Sequence, residues 1–457
     1  MEPHILLQMP LFQGITEEVL LKFVLLHQHT LKSYKPGEFI AMQGDIYRSL
    51  YILCNGTVRT QMVSAEGKQL TIETLRAPKL LAPAFIFASE NRFPVNIETL
   101  ETSEVLILNK DAFLEFMHQY PVVMQNFLKL ISDRSLFLSK KLNEFALQSL
   151  KSRLLNYVKM HGSIGSQQEV AHILGVARPS LARAISELSN EGCIQIEGKE
   201  MFIDEENSKK YFEFYFFLVS LYNQLPNIMR KITLTDKHQE LLFQIPLFRD
   251  LPLNIKHSLL NRLDISLYSV DKKDIIATQG TLCKKLYVLL EGKLRVDIID
   301  GLGNEVMIEY IVAARAFATP HLFSSDGVLP ATFTAMEDST LLTASKESMF
   351  KLISEEPKIL HNFLCITGNC NVCTVSRLKT LSRKTVRERF VVYLLEHKKK
   401  NSPIVNIIHN QATLAEYLNV TRPALSKEIN KMIKEGIIDM DGKTVQILNE
   451  TILERYV

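Results

Sequence analysis

Leu50-Tyr51-Ile52-Leu53, followed by Gly56, returns 236 residues later as Leu286-Tyr287-Val288-Leu289, followed by Gly292. Met9-Pro10-Leu11-Phe12 returns in the same register as Ile245-Pro246-Leu247-Phe248, and Ala41-Met42-Gln43-Gly44 returns as Ala277-Thr278-Gln279-Gly280. Asn126-Phe127-Leu128 matches Asn362-Phe363-Leu364 with no change of register. Arg178-Pro179 and Arg422-Pro423 stand 244 residues apart, so eight residues enter the second copy between Tyr393 and Ala415. Chance does not hold register over such a span. The chain is two copies of one module.

Each copy opens with a short helical stretch, Thr16 to His27 and Leu253 to Leu263. Strand-like segments follow, among them Phe39-Ile40-Ala41-Met42 and Leu70-Thr71-Ile72-Glu73, punctuated by Gly44, Gly56 and Gly67 and again by Gly280, Gly292 and Gly303. Short strands at regular spacing with tight turns predict a small antiparallel barrel, a jelly roll or double-stranded β-helix. A long helix begins near Pro121 and near Pro357. Met124, Leu128, Ile131, Ser135, Leu138 and Leu142 alternate steps of four and three, the seam of a paired helix rather than of one merely lying on its own barrel. The second copy offers Leu360, Leu364, Thr367, Asn371, Thr374 and Leu378, a seam polar in its middle that suits the first copy's helix as partner.

The end of each copy carries the strongest functional pattern. Ser166-Gln167-Gln168-Glu169 has the form of a capping box, a helix runs on through Leu174, Gly175 supplies a turn, and Pro179 suits the first turn of a second helix. Leu181, Ile185 and Leu188 form that helix's apolar stripe, leaving Ser180, Ala182, Arg183 and Ser186 outward. The second copy repeats this with Asn410 as cap, Asn419 as turn and Pro423 to Lys434 as second helix, with Ala424, Ser426, Lys427 and Asn430 outward. Ile194 to Lys199 and Ile437 to Lys443 form hairpins behind each pair, and Ile404 to Ile408 adds a strand to the latter. A short helix, a tight turn and a second helix with small or basic outward residues fit a DNA major groove, and the hairpins fit wings.

The glycine-spaced roll, together with Val176-Ala177-Arg178-Pro179-Ser180-Leu181-Ala182-Arg183 and Val420-Thr421-Arg422-Pro423-Ala424-Leu425-Ser426-Lys427, resembles the Crp/Fnr superfamily of bacterial transcription regulators over nearly all of both copies. The resemblance implies dimers joined along the long helix, double-stranded DNA and RNA polymerase as partners, and a signal in the roll that reorients the DNA-reading domains. Carried over by position, DNA contacts fall on Arg178, Ser180 and Arg183 and on Arg422, Ala424 and Lys427. The two copies pair either with each other or across two chains. Family members that bind cyclic nucleotides carry a Gly-Glu and an Arg-Ser/Thr-Ala run. Here those stretches contain Phe85, Phe87, Arg92 and Phe93 in one copy and Phe317, His321 and Phe323 in the other, with no such Glu and no Arg at the phosphate position. These seven residues are the candidate effector pocket, and a phosphate among its rings without a cation would cost several kcal/mol, which argues against cyclic AMP. The cofactor is left open, with haem or an iron–sulfur cluster as the options that the family supplies.

Cys365, Cys370 and Cys373 have the C-x4-C-x2-C spacing of an iron–sulfur site with Cys283 as a fourth ligand, but on a helix the first two lie ~140° apart, so packing is preferred and no metal site is expected. Cys54 and Cys193 read as core residues, and lone histidines such as His118 and His172 as structural ones. No catalytic constellation stands out, so no enzyme is expected. Six cysteines in 457 residues, a net charge of +3, 46 % hydrophobic and 23 % charged residues, no signal peptide and no membrane-length apolar run suit a cytoplasmic protein with no membrane contact. The expected fold is α+β, divided as sensor roll 1–120, long helix 121–146, winged helix-turn-helix 147–205, linker 206–236, roll 237–356, long helix 357–383 and winged helix-turn-helix 384–457. The linker contains Tyr211 to Leu218, too aromatic for a flexible tether. Either it buries its rings between the copies, or the chain is two adjacent regulators fused in one reading frame, with Met229 as the second start. A third reading is a redox, haem or small-ligand sensor whose winged domains contact proteins instead of DNA.

Overall fold

In both rolls a glycine closes the strand that the repeated Leu-Tyr-Ile/Val-Leu motif builds, because a Cβ at Gly56 or Gly292 would collide with Ser103 or Ser339 and both backbones have positive φ, 96° and 100°. The computed structural model describes every residue except 1–2, 64–68, 147–149, 163–165, 175, 177, 198–199, 209–228, 300–304, 384, 400–401 and 457. Gly67, Gly175, Ala177, Gly198, Lys199, Gly303 and the aromatic linker segment therefore lie outside the described residues.

The first roll is built of β1 (His29–Tyr34), β2 (Phe39–Ala41), β3 (Ser49–Asn55), β4 (Thr57–Val63), β5 (Gln69–Arg76), β6 (Lys79–Leu81), β7 (Asn96–Thr99) and β8 (Ser103–Asn109). They form two antiparallel sheets, ordered β1-β8-β3-β6 and β2-β7-β4-β5. After the wing strands β9 (Ile194–Glu197) and β10 (Glu200–Ile203) and a short β11 (Arg230–Ile232), the second roll repeats the plan. Its strands are β12 (Ser266–Val270), β13 (Ile275–Ala277), β14 (Lys285–Glu291), β15 (Lys293–Ile299), β16 (Glu305–Val312), β17 (Arg315–Phe317), β18 (Thr332–Ala335) and β19 (Ser339–Ser345). β11 extends one sheet to β11-β12-β19-β14-β17, and the other is β13-β18-β15-β16. The repeated motif places Leu50, Ile52 and Leu53, and likewise Leu286, Val288 and Leu289, in the core, and both strands shift register just beyond it. The fold is α+β, as the glycine-punctuated strands and periodic helices predict.

The long helices run from Pro121 to Ala146 and from Pro357 to Leu381. The repeated Asn-Phe-Leu fixes each to its own roll. Asn126 Nδ2 donates to the carbonyls of Leu11 (3.1 Å) and Gln13 (2.9 Å), and Asn362 Nδ2 to those of Leu247 (3.1 Å) and Arg249 (3.3 Å). Phe127 packs edge-on against Phe113 and Phe87, and Phe363 against Phe323. The other face of each helix meets the other helix. All six seam positions of the first helix are buried, and so are those of the second except half-buried Thr374. Both packing modes weighed from the sequence thus occur, on different faces. Ser135, Asn371 and Thr374 bond back to carbonyls four residues earlier on their own helix, at 2.9, 2.9 and 3.0 Å, which satisfies them in the seam, whereas the buried Thr367 hydroxyl has no partner.

Contacts between the copies are reciprocal. Ser89 N donates to Asn369 Oδ1 at 2.8 Å, and Ser325 N donates to Asp133 Oδ1 at 2.6 Å. Ser325 is the repeat of Ser89, and Asn369 the repeat of Asp133, so the surface is self-complementary in the manner of a twofold interface. Gly368 on the second helix lies so close to the first roll that a Cβ there would fall 2.7 Å from Ala88 N. Gly368→Val should therefore destabilise the chain by about 1–3 kcal/mol, despite a better helix propensity than glycine. Chemical denaturation checks this, and an unchanged midpoint would contradict the close approach.

Candidate nucleic-acid interface and effector cavity

In the second copy the helix Gln411–Tyr417 is capped by Asn410, whose side chain accepts from Thr413 N at 2.9 Å, and Asn419 turns the chain at φ +51°. The next helix, Arg422–Lys434, is capped by the Thr421 side chain, with Pro423 in its first turn, where a missing N–H costs nothing. Leu425, Ile429 and Met432 are buried, while Arg422, Lys427 and Asn430 are exposed. Ala424, expected to face outward, is half-buried. In the first copy Gln167–Ile173 and Arg178–Asn190 repeat the pair. Leu181, Ala184, Ile185 and Leu188 are buried, and Arg178, Ser180 and Arg183 exposed. β9 pairs with β10 as one wing, and β21 (Ile438–Asp441) with β22 (Thr444–Ile447) as the other. The inserted residues of the second copy supply β20 (Ile404–Asn406), which pairs with β22.

Arg178, Arg183, Arg422 and Lys427 have no ion-pair partner among the described residues, so their charge is available to a ligand. Other arginines are committed to the scaffold, and sequence reasoning passed over them. Arg153 Nη1 donates to Leu174 O at 2.8 Å. Its repeat, Arg389, donates to the carbonyls of Leu418 and Asn419, both at 3.0 Å, so each holds the end of the first helix of its pair. Arg377 is fully buried and lies 3.8 Å above the Tyr417 ring. It donates to Met307 O at 2.7 Å and to Tyr417 O, docking the second helix-turn-helix on β16. The recurrence of Arg153 at position 389 was the available signal.

The rolls also place the expected pocket residues, and not as one group. A cavity of about 460 Å³ opens in the first roll, walled by β4, β5, the turn Pro83–Phe85, the long helix of the same copy, and Val375 and Leu378 of the other. Phe85 lines it. Phe87 does not, being spent on Phe127. Phe93 packs between Tyr47 and Tyr51, and Arg92 turns to Gly44 O at 2.7 Å, facing a separate open groove. In the second roll Phe317 stacks on Tyr287 and packs at a tilt against Phe333, and Phe323 meets Phe350 and Phe363 edge-on, so both are packing residues. The cation that the cavity does contain was missed. Arg134 of the long helix pairs with Glu73 of β5 at 2.5 Å and lies 4.6 Å from the Phe137 ring.

Models of two families match this chain. The cyclic nucleotide-binding domain matches residues 31–120 and 268–356, and the Crp-like helix-turn-helix domain matches residues 388–456. Similar proteins include the anaerobic regulatory protein of Bacillus subtilis, 21% identical over 37% of this chain and 76% of its own length. The transcriptional activator protein anr of Pseudomonas aeruginosa is 25% identical over 37% and 74%, and the cyclic AMP receptor protein of Thermus thermophilus 24% over 41% and 88%. Each relative thus corresponds to one copy. The chain is a tandem Crp/Fnr-type regulator. The Thermus thermophilus catabolite activator protein structure, at 24% identity and a TM-score of 0.28, covers 46% of this regulator and 97% of that chain. No helix among the described residues is long and apolar enough to cross a membrane.

In this tandem regulator the cysteine spacing does not make a cluster. The second long helix runs unbroken through Cys365, Cys370 and Cys373, and eight residues of helix put ~12 Å between the first and the last. Cys283 is buried in the roll with its thiol pushed up to about 12. No group of three or more metal ligands occurs among the described residues. His321, the repeat of Phe85, is buried with Nδ1 unpartnered, and burial holds its pKa down at about 4, from 6.5. A neutral buried imidazole costs stability only when protonated, so stability is full above pH 6.5 and falls as the pH drops towards 4. Between pH 7.5 and 5 this term amounts to about 2 kcal/mol. His409, also held at about 4, adds to the same slope from the winged domain. Denaturation of His321→Phe at both pH values should show a smaller loss at pH 5 than the parent chain, and an equal loss would contradict a buried neutral His321.

Proposed function

We propose that the two copies pair with each other inside one chain and that this internal pair presents both recognition helices to a palindromic or near-palindromic DNA duplex to control transcription, with RNA polymerase as partner. The observation that carries this reading is the reciprocal contact of Ser89 with Asn369 and of Ser325 with Asp133, the contact that a homodimer would make with one residue pair used twice. Two recognition helices in successive major grooves stand about 34 Å apart. Arg178, Ser180 and Arg183 of one copy and Arg422, Ala424 and Lys427 of the other are the proposed DNA contacts. Half-buried Ala424 offers only a small apolar surface, and Lys427 offers a point charge where Arg183 has a planar fork, so the half-sites differ. An effector other than a cyclic nucleotide is supported by the turn Pro83–Phe85, which offers apolar side chains where a phosphate would need a cation, and by Arg92, which is bonded to Gly44.

Arg178→Ala and Arg422→Ala should each weaken specific binding about tenfold, within the ~1–3 kcal/mol of an arginine–guanine contact, and the double variant should also lower the salt dependence. Fluorescence anisotropy against an operator selected from random duplexes measures this. Unchanged affinity and salt slope in the double variant would refute DNA contact through these helices.

A further inference from the structure

The cavity of the first roll divides its chemistry between interior and mouth. Its interior walls include Met62, Ile72, Leu75, Val95, Phe137 and Leu378, an apolar chamber between the β4–β5 hairpin and the long helices of both copies. The half-buried Arg134 there is already matched by Glu73 at 2.5 Å, so this pair has no net charge to offer an anion. A charged group taken deep inside would have to break that pair in a poorly solvated space, and the pair's remaining carboxylate would be stranded. Lys79 and Lys129 also line the cavity, but both are exposed, which places them at its mouth. Neither has an ion-pair partner among the described residues. Asp133, which also lines the cavity, is held by Ser325 through two bonds of 2.6 Å.

We infer that this cavity binds an organic monoacid with an extended apolar body, its carboxylate at the mouth between Lys79 and Lys129 and its hydrocarbon inside the roll. The inference rests on the regulator reading only for its consequence, not for the binding itself. About 460 Å³ lies within the ~300–1,000 Å³ of small-molecule sites, and burial of each methylene contributes about 0.8 kcal/mol, so the body supplies most of the affinity and the lysines supply selectivity for the acid. Because Val375 and Leu378 belong to the second copy and the other walls to the first, an occupant touches both long helices at once. The same division disfavours a cyclic nucleotide, whose charge sits on the rigid sugar-phosphate rather than at the end of an apolar chain.

Calorimetric titration of the full chain with sodium decanoate, decan-1-ol and cyclic AMP tests this without DNA. Decanoate should bind more tightly than cyclic AMP, and the Lys79→Ala/Lys129→Ala variant should lose at least tenfold in decanoate affinity while its affinity for decan-1-ol stays unchanged, which also shows that the variant is folded. No heat of binding with decanoate, tighter binding of cyclic AMP, or a decanoate affinity indifferent to the two lysines would overturn the inference. If decanoate binds as described while operator binding is indifferent to Arg178 and Arg422, it is the regulator reading that fails and not this one.

Discussion

The arrangement depends on one constraint, the close approach of the second long helix to the first roll. Gly368 is what permits it, since any side chain there meets the backbone of Ala88. With the helices at that distance, Ser89 and Ser325 reach Asn369 and Asp133, and the apolar seam from Met124 to Leu142 is covered by Leu360, Leu364 and Leu378. In the polar middle of the second seam Asn371 and Thr374 bond within their own helix, while the buried Thr367 hydroxyl has no partner and carries a desolvation cost. In the proposed internal pair, covalent linkage of the copies would remove the concentration dependence that two separate chains face.

Duplication lets the copies diverge at matched positions, and the charges show where they have. Arg134 and Phe137 in the first long helix correspond to Cys370 and Cys373 in the second, and the cavity's Phe85 to buried His321. In the second roll the carboxylate of Glu309, the repeat of Glu73, is met instead by Arg315, the repeat of Lys79, at 2.9 Å. So the lysine that stands free at the mouth of the first roll has a counterpart already neutralised in the second. Arg377 stands where the first copy has Lys141, and its planar fork suits two carbonyls and an aromatic face at once. These substitutions leave the rolls alike in topology and unlike in what they can hold.

Much of the fold was legible because repetition and periodicity are linear properties. Leu50 to Gly56, Asn126 to Leu128 and the paired Arg-Pro motifs each announce a local structure, and each forms where expected. The pocket was less legible because it is assembled from separated segments. Phe87, Phe317 and Phe323 are as aromatic as Phe85, and nothing in their local sequence says that they fasten a helix or strand instead of lining a cavity. Arg92 was the cation nearest in sequence to the expected phosphate position, whereas the cation in the wall, Arg134, sits 42 residues further on in the long helix, whose periodicity marks only its seam. Likewise the C-x4-C-x2-C spacing suggests a cluster only until the helix is seen to be continuous.

If one chain supplies both halves of a DNA-reading pair, sedimentation equilibrium of the chain with its operator duplex should find a complex holding one 52.2-kDa chain per duplex, with no change in stoichiometry on dilution. A complex holding two chains on a single palindromic site would contradict it.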